Sequence, residues 1–169
     1  CWGQQPNASS IPTQSGSATP ALVPPPPKAQ PVPQKVEGLP AGVTEVDTSM
    51  NNACALAGGH AYCWGVNNVG QLGNGSTTAS ATPVQVTGLP GQVTAIAVDR
   101  SASCAIAAGD AYCWGANNAG QLGNGQTTNS AVPVRVVGLP TTATSISTGE
   151  SVACANSGGS AFCWGTHPE

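Results

Sequence analysis

Seven cysteines are the residues of this chain whose type and spacing could do chemistry, and the spacing separates metal binding, catalysis and cross-linking. Cys54, Cys104 and Cys154 stand nine positions before Cys63, Cys113 and Cys163. That is not the short spacing of a structural zinc site. A hairpin accounts for it. In the run from Cys54 to Cys63 a two-residue loop, Gly58-Gly59, sets Ala57 opposite His60, and counting outward sets Cys54 opposite Cys63. The pair falls at a non-hydrogen-bonded position, where Cα atoms lie about 4.5 Å apart. A disulfide spans roughly 4.4 to 6.8 Å. The same count joins Cys104 to Cys113 across Ala108-Gly109, and Cys154 to Cys163 across Gly158-Gly159. Buried free thiols on a strand face are the alternative. Closing each loop contributes roughly 2 to 3 kcal/mol in the chain-entropy model, and paired cysteines place the chain outside the cell or on its surface. Cys1 has no such partner. It is read as the stub of a truncated repeat or an intermolecular or unpaired thiol, in preference to a lipidated terminus.

The remaining reactive side chains assemble nothing. The two histidines, His60 and His167, are not repeated, and Glu37, Glu45, Asp47, Asp99, Asp110 and Glu150 show no recurring pair for acid-base work. Gly70-Gln71-Leu72-Gly73-Asn74-Gly75 lacks the Lys-Ser/Thr ending of a phosphate loop. The Asn-rich loops around Asn67 and Asn117 carry no carboxylate for calcium, so these asparagines are expected to bond local backbone. No enzyme, cofactor or metal site is expected. Four basic residues against seven acidic ones leave a net charge of −3 with no basic stripe, so nucleic acid is not expected as a partner. No run of apolar residues is long enough to span a bilayer as a helix, and membrane insertion is not expected either.

The elements that hold these cysteines recur. Cys63-Trp64-Gly65, Cys113-Trp114-Gly115 and Cys163-Trp164-Gly165 are 50 residues apart, preceded by Tyr62, Tyr112 and Phe162, and Gly-Leu-Pro recurs at Gly38, Gly88 and Gly138. An internal period of this length defines a tandem array. With 22 Gly and 15 Pro in 169 residues, the class is all-β, short strands joined by tight turns. One repeat reads as strands at 61–65, 83–86, 93–98 and 103–107, four to a repeat as in a propeller blade. The last repeat continues through 133–136, 143–147 and 152–155 and ends on a single strand, 161–165. Alternation puts Tyr62 and Trp64 on one face and Cys63 on the other. A lone hairpin cannot bury such aromatics. Tyr62, Trp64, Tyr112, Trp114, Phe162 and Trp164 are therefore expected to pack between blades, with Trp64 and Trp114 as the principal residues; sugar stacking by an exposed Trp is the lesser alternative.

Three domains follow: residues 1–3, Cys1-Trp2-Gly3, as the leading strand of a split repeat; 4–34 as a proline-rich extended insert around Pro24-Pro25-Pro26-Pro27; and 35–169 as three repeats. The insert favours polyproline II and reads as a linker or as a docking strap. Asn7-Ala8-Ser9 and Asn74-Gly75-Ser76 match the glycosylation acceptor pattern.

The stretch Cys-Trp-Gly-x-Asn-Asn-x-Gly-Gln-Leu-Gly-Asn-Gly, at Cys63 to Gly75 and Cys113 to Gly125, resembles the regulator of chromosome condensation repeat family. The resemblance implies β-propeller blades, commonly seven, whereas this chain supplies about three and an incomplete ring. Open ends invite association. The expected function is a non-enzymatic secreted or cell-surface scaffold, an adhesin module, fibre or coat subunit. It would bind other copies of itself, as a homo-oligomer or filament, or another extracellular protein. The alternative is a secreted propeller that inhibits or binds another protein; guanine nucleotide exchange, implied only by the family, ranks below both.

Overall fold

The computed structural model describes residues 32–166. The strands all lie in the unit Lys35–Glu169. Cys1, Trp2, Gly3, the polyproline run, Asn7 and His167 lie outside the described residues.

Among the described residues eleven strands make three antiparallel sheets. The first holds β1 (Val43–Thr48), β2 (Asn52–Ala57), β3 (His60–Gly65) and β4 (Ser80–Gln85); the second holds β5 (Val93–Val98), β6 (Ala102–Ala107), β7 (Asp110–Gly115) and β8 (Ser130–Arg135). The third has three strands, β9 (Ala143–Gly149), β10 (Val152–Ser157) and β11 (Ser160–Gly165). Strand order follows chain order in each sheet, so these are meanders, the blades of an incomplete propeller.

The central hairpin of each blade is dictated by its turn. Gly58 and Gly59 both take positive φ, 58° and 77°, as a two-residue turn matched to strand twist requires. Ala57 then faces His60 and Cys54 faces Cys63. In the second sheet Ala108 holds φ 51°, the one positive-φ non-glycine among the described residues, and the register is still Ala107 to Asp110 and Cys104 to Cys113. The local turn geometry outweighs the left-handed cost to one alanine.

Two expectations are corrected. The sequence period reads as opening at the Cys-Trp-Gly strand, but the sheets open after Gly-Leu-Pro, so each Cys-Trp-Gly strand is third in its sheet; β11 pairs with β10 in the hairpin expected from the cysteine spacing. The fourth strand runs over Ser80–Gln85, not 83–86, and takes Pro83 inside it. Proline fits there because this strand is at the sheet edge, where a missing N–H breaks no ladder.

Sheets stack face to disulfide face. Cys54, Leu56, Ala61 and Cys63 of the first sheet pack with Ile96, Val98, Ala105, Ala107 and Trp114 of the second in one buried cluster. Cys104, Ile106, Ala111 and Cys113 pack in the same way with Ala143, Ala153, Ala155 and part-buried Trp164 of the third. Small alanines line each aromatic face, which lets successive sheets approach closely with few large side chains.

Candidate functional site

The seam between blades is built from the Trp strand of one sheet and the Gly-Gln-Leu-Gly loop of the sheet before it. Asn67 is fully buried and closes that loop: its Oδ1 accepts from the Leu72 N–H at 2.9 Å, and its Nδ2 donates to the Ser76 and Thr78 carbonyls, each at 2.9 Å. Asn117 repeats this with Leu122, Gln126 and Thr128 at 2.9 to 3.1 Å. The loops therefore hold their own backbone, as expected of asparagine at turns.

So held, the loop presents one carbonyl to the next blade. Trp114 Nε1 donates to the Gln71 carbonyl at 3.0 Å, and Ser103 Oγ donates to the same oxygen at 3.1 Å. Trp164 Nε1 donates to the Gln121 carbonyl at 3.0 Å. The indole lies so close that a Cβ on Gly73 would stand 2.7 Å from Trp114 Nε1, and one on Gly123 2.7 Å from Trp164 Nε1. Trp114 is 1% exposed and Trp164 is half-buried. Trp64 does not share this role: it is half-buried and, among the described residues, makes no indole hydrogen bond to a loop carbonyl. Among the described residues Trp114 and Trp164 make this seam, because a blade's Trp seats on the loop of the blade before it, and the described loops at 70–75 and 120–125 precede the second and third sheets. Tyr62, Tyr112 and Phe162 are all half-buried, and Tyr112 packs against the first seam.

One seam residue gave no signal in the sequence. Asp47 Oδ2 accepts from the Val98 N–H at 2.7 Å, joining the inner strands of the first two sheets across a separation of 51 residues. Its counterparts by the period, Ala97 and Ser147, are not acids, so the repeat conceals it. Asp47→Ala is expected to lower unfolding free energy by about 1 to 2 kcal/mol by orphaning that donor, and amide exchange at Val98 should accelerate in step; unchanged exchange would refute the link.

The disulfides join Cys54 to Cys63, Cys104 to Cys113 and Cys154 to Cys163, with Cα atoms 4.1, 4.0 and 4.1 Å apart. Their surroundings differ. The first two are buried in the seams, but Cys163 is exposed and Cys154 half-buried, since no described sheet covers that face of the third blade. Attack by a thiolate depends on access. Under native conditions a mild reductant should therefore open Cys154–Cys163 at least about tenfold faster than the other two, read by timed alkylation and peptide mass. Equal rates would show that the third face is covered in solution.

Charge contributes little to this geometry. Arg135 Nη2 bonds Asp110 Oδ1 at 2.8 Å on the outer surface, holding the Asp110 carboxyl below and the Arg135 guanidinium above their ordinary ranges. The support is present above the usual carboxylate pKa and fades as pH falls through the lowered one, and for so exposed a pair it is small. Among the described residues no three His, Cys, Asp or Glu side chains gather to hold a metal, and no helix is long and apolar enough to cross a membrane.

Meanders stacked by a Trp-on-loop seam define a β-propeller-type repeat protein. The chain belongs to the family described as the regulator of chromosome condensation (RCC1) repeat, which matches residues 58–106 and 108–155, more than half its length. Among solved structures it is similar to human WBSCR16, at 24% identity and a TM-score of 0.65 over 74% of this chain and 33% of that one. It is also similar to Prp20p of Saccharomyces cerevisiae, at 22% identity and 0.63 over 73% and 33%, in a structure described with its binding properties to Gsp1p and histones. A third match, at 21% identity and 0.62 over 73% and 32%, is yeast RCC1 (Prp20) bound to Kap60. The chain spans about a third of the length of these proteins. No curated protein matches it.

Proposed function

We propose that this chain is a non-enzymatic protein-binding scaffold, secreted or displayed on a cell surface. The observation that carries this reading is the stack of propeller-type blades, each clasped by an intrachain disulfide, with Trp114 and Trp164 seated on the loop of the blade before. The three intrachain disulfides support an oxidising location, because reduced cytosolic conditions do not sustain them. Self-association into a fibre, coat or adhesin module is the favoured form, with residues 1–3 as a split-repeat strand, 4–34 as a linker and Cys1 as an intermolecular thiol. Prp20p is described with protein partners, and that supports protein rather than small-molecule recognition here.

The test is the intact mass under non-reducing conditions together with light scattering over a wide concentration range. Three intrachain disulfides and a mass that rises with concentration are the expected results. A monomer with free thiols at every concentration would overturn the reading.

A further inference from the structure

The same backbone frame stands at the turn end of both seams, and it carries different side chains. In the first seam the Val86 N–H donates to the Ala61 carbonyl at 2.9 Å and the Val93 N–H to the Gly59 carbonyl at 3.0 Å. One period later the Val136 N–H donates to the Ala111 carbonyl and the Ala143 N–H to the Gly109 carbonyl, each at 2.8 Å. These bonds tie the end of the outer strand, the hairpin turn and the first strand of the next sheet. The frame is therefore set before any partner arrives.

In the first frame lies a groove of about 300 Å³, enough for one side chain or a small ligand. Ala61, Val86 and Val93 are its buried apolar floor, with half-buried Leu89 beside them. His60 and Gln85 line it as exposed residues, and among the described residues no carboxylate does. The second frame differs at those two positions. Asp110 stands where His60 does, Arg135 stands where Gln85 does, and the Arg135 guanidinium donates to the Asp110 carboxylate at 2.8 Å.

The outer strand thus keeps an N–H donor in both blades, while the hairpin turn supplies a carboxylate for it only in the second. In the first, the turn supplies His60, a second donor. Two donors above an apolar floor call for an acceptor-only head on an apolar stem, and the lining holds no acid to repel it. We propose that the groove of the first seam takes a glutamate side chain of a partner protein, its methylenes on Val86 and Val93 and its carboxylate between His60 and Gln85. The partner's carboxylate does there what Asp110 does one period later. This rests on the protein-binding reading above and deepens it by naming the chemistry of one contact.

The test titrates the full 169-residue oxidised chain with the peptide acetyl-Leu-Glu-Leu-amide and with its isostere acetyl-Leu-Gln-Leu-amide. Saturation-transfer NMR reads the peptide and so serves for an assembly of any size. The glutamate peptide should bind with a dissociation constant of about 1 mM, and the glutamine peptide at least about tenfold more weakly, because the ionised acceptor is gone. His60→Asp, which restores the acid of the second blade, should weaken the glutamate peptide at least about tenfold. Ser160→Asp adds the same charge at the equivalent position of the third hairpin and should bind as the parent does. Both residues are exposed, so far-UV spectra should match the parent. Equal binding of the two peptides, equal loss in the two variants, or no binding to the parent overturns the groove and leaves the scaffold reading to its own mass and scattering test. A chain that takes the glutamate peptide as expected yet stays a monomer with free thiols sustains the groove and overturns that reading.

Discussion

Trp114→Ala should lower the unfolding free energy by about 3 to 5 kcal/mol, the range for removing a large aromatic from a packed interior. The side chain is 1% exposed, lies in the cluster that joins the first and second sheets, and donates its indole N–H to the Gln71 carbonyl. Its loss empties the seam and leaves that buried carbonyl with the Ser103 hydroxyl alone. Trp164→Ala removes the same group from the same position one period later, but Trp164 is half-buried and its blade has no described neighbour beyond it. Its cost should be clearly smaller, closer to about 2 kcal/mol. Trp114→Phe separates the two contributions, since it keeps most of the apolar volume and loses the hydrogen bond, at about 1 to 3 kcal/mol. Urea unfolding followed by far-UV circular dichroism measures all three. Equal losses at Trp114 and Trp164 would show that the seam is not what stabilises the aromatic face.

Gly70→Ala and Gly120→Ala form the second contrast, because the two glycines hold the same place in the repeat with similar backbone, φ +87° and +75°. Either alanine bears the left-handed strain of about 1 to 2 kcal/mol. Only Gly70 has a neighbour in the way. A Cβ there would stand 2.5 Å from Ala131 Cα in β8, beside the Gly75 N–H to Ala131 carbonyl bond of 2.9 Å, whereas one on Gly120 meets nothing within 4 Å. Overpacking against backbone adds about 1 to 3 kcal/mol, so Gly70→Ala should cost about 2 to 5 kcal/mol in total. Gly120→Ala should stay near the strain alone. The comparison cancels propensity and isolates the neighbouring blade. Matching losses would mean that the loop of the first sheet does not touch the second in solution.

Several elements are legible in the sequence because their causes are local. The hairpin registers follow from two-residue turns, and Asn67 and Asn117 bond their own loops because short amides at turns find nearby backbone. The blade boundary is not legible in the sequence, for an equally physical reason. A period carries no origin, and the most conspicuous motif, Cys-Trp-Gly, is the third strand of a sheet and not its first. The outer strand reads in the sequence as opening at Pro83 because proline normally opens a strand, and only its position at a sheet edge permits it inside.

By itself the sequence determined a tandem all-β chain of hairpin-centred repeats, since turn chemistry, strand alternation and the interval of 50 residues act over distances that the chain spans directly. Tertiary structure alone decided which repeat equivalents are alike. Trp114 is sealed and Trp164 is partly open; Gly70 is pressed by β8 and Gly120 is free; Asp47 links two blades and Ala97 has no carboxylate to do so. Near-identical residues differ in energy because each seam needs a neighbour on the far side, and whether one stands there is a property of the stack and not of the repeat.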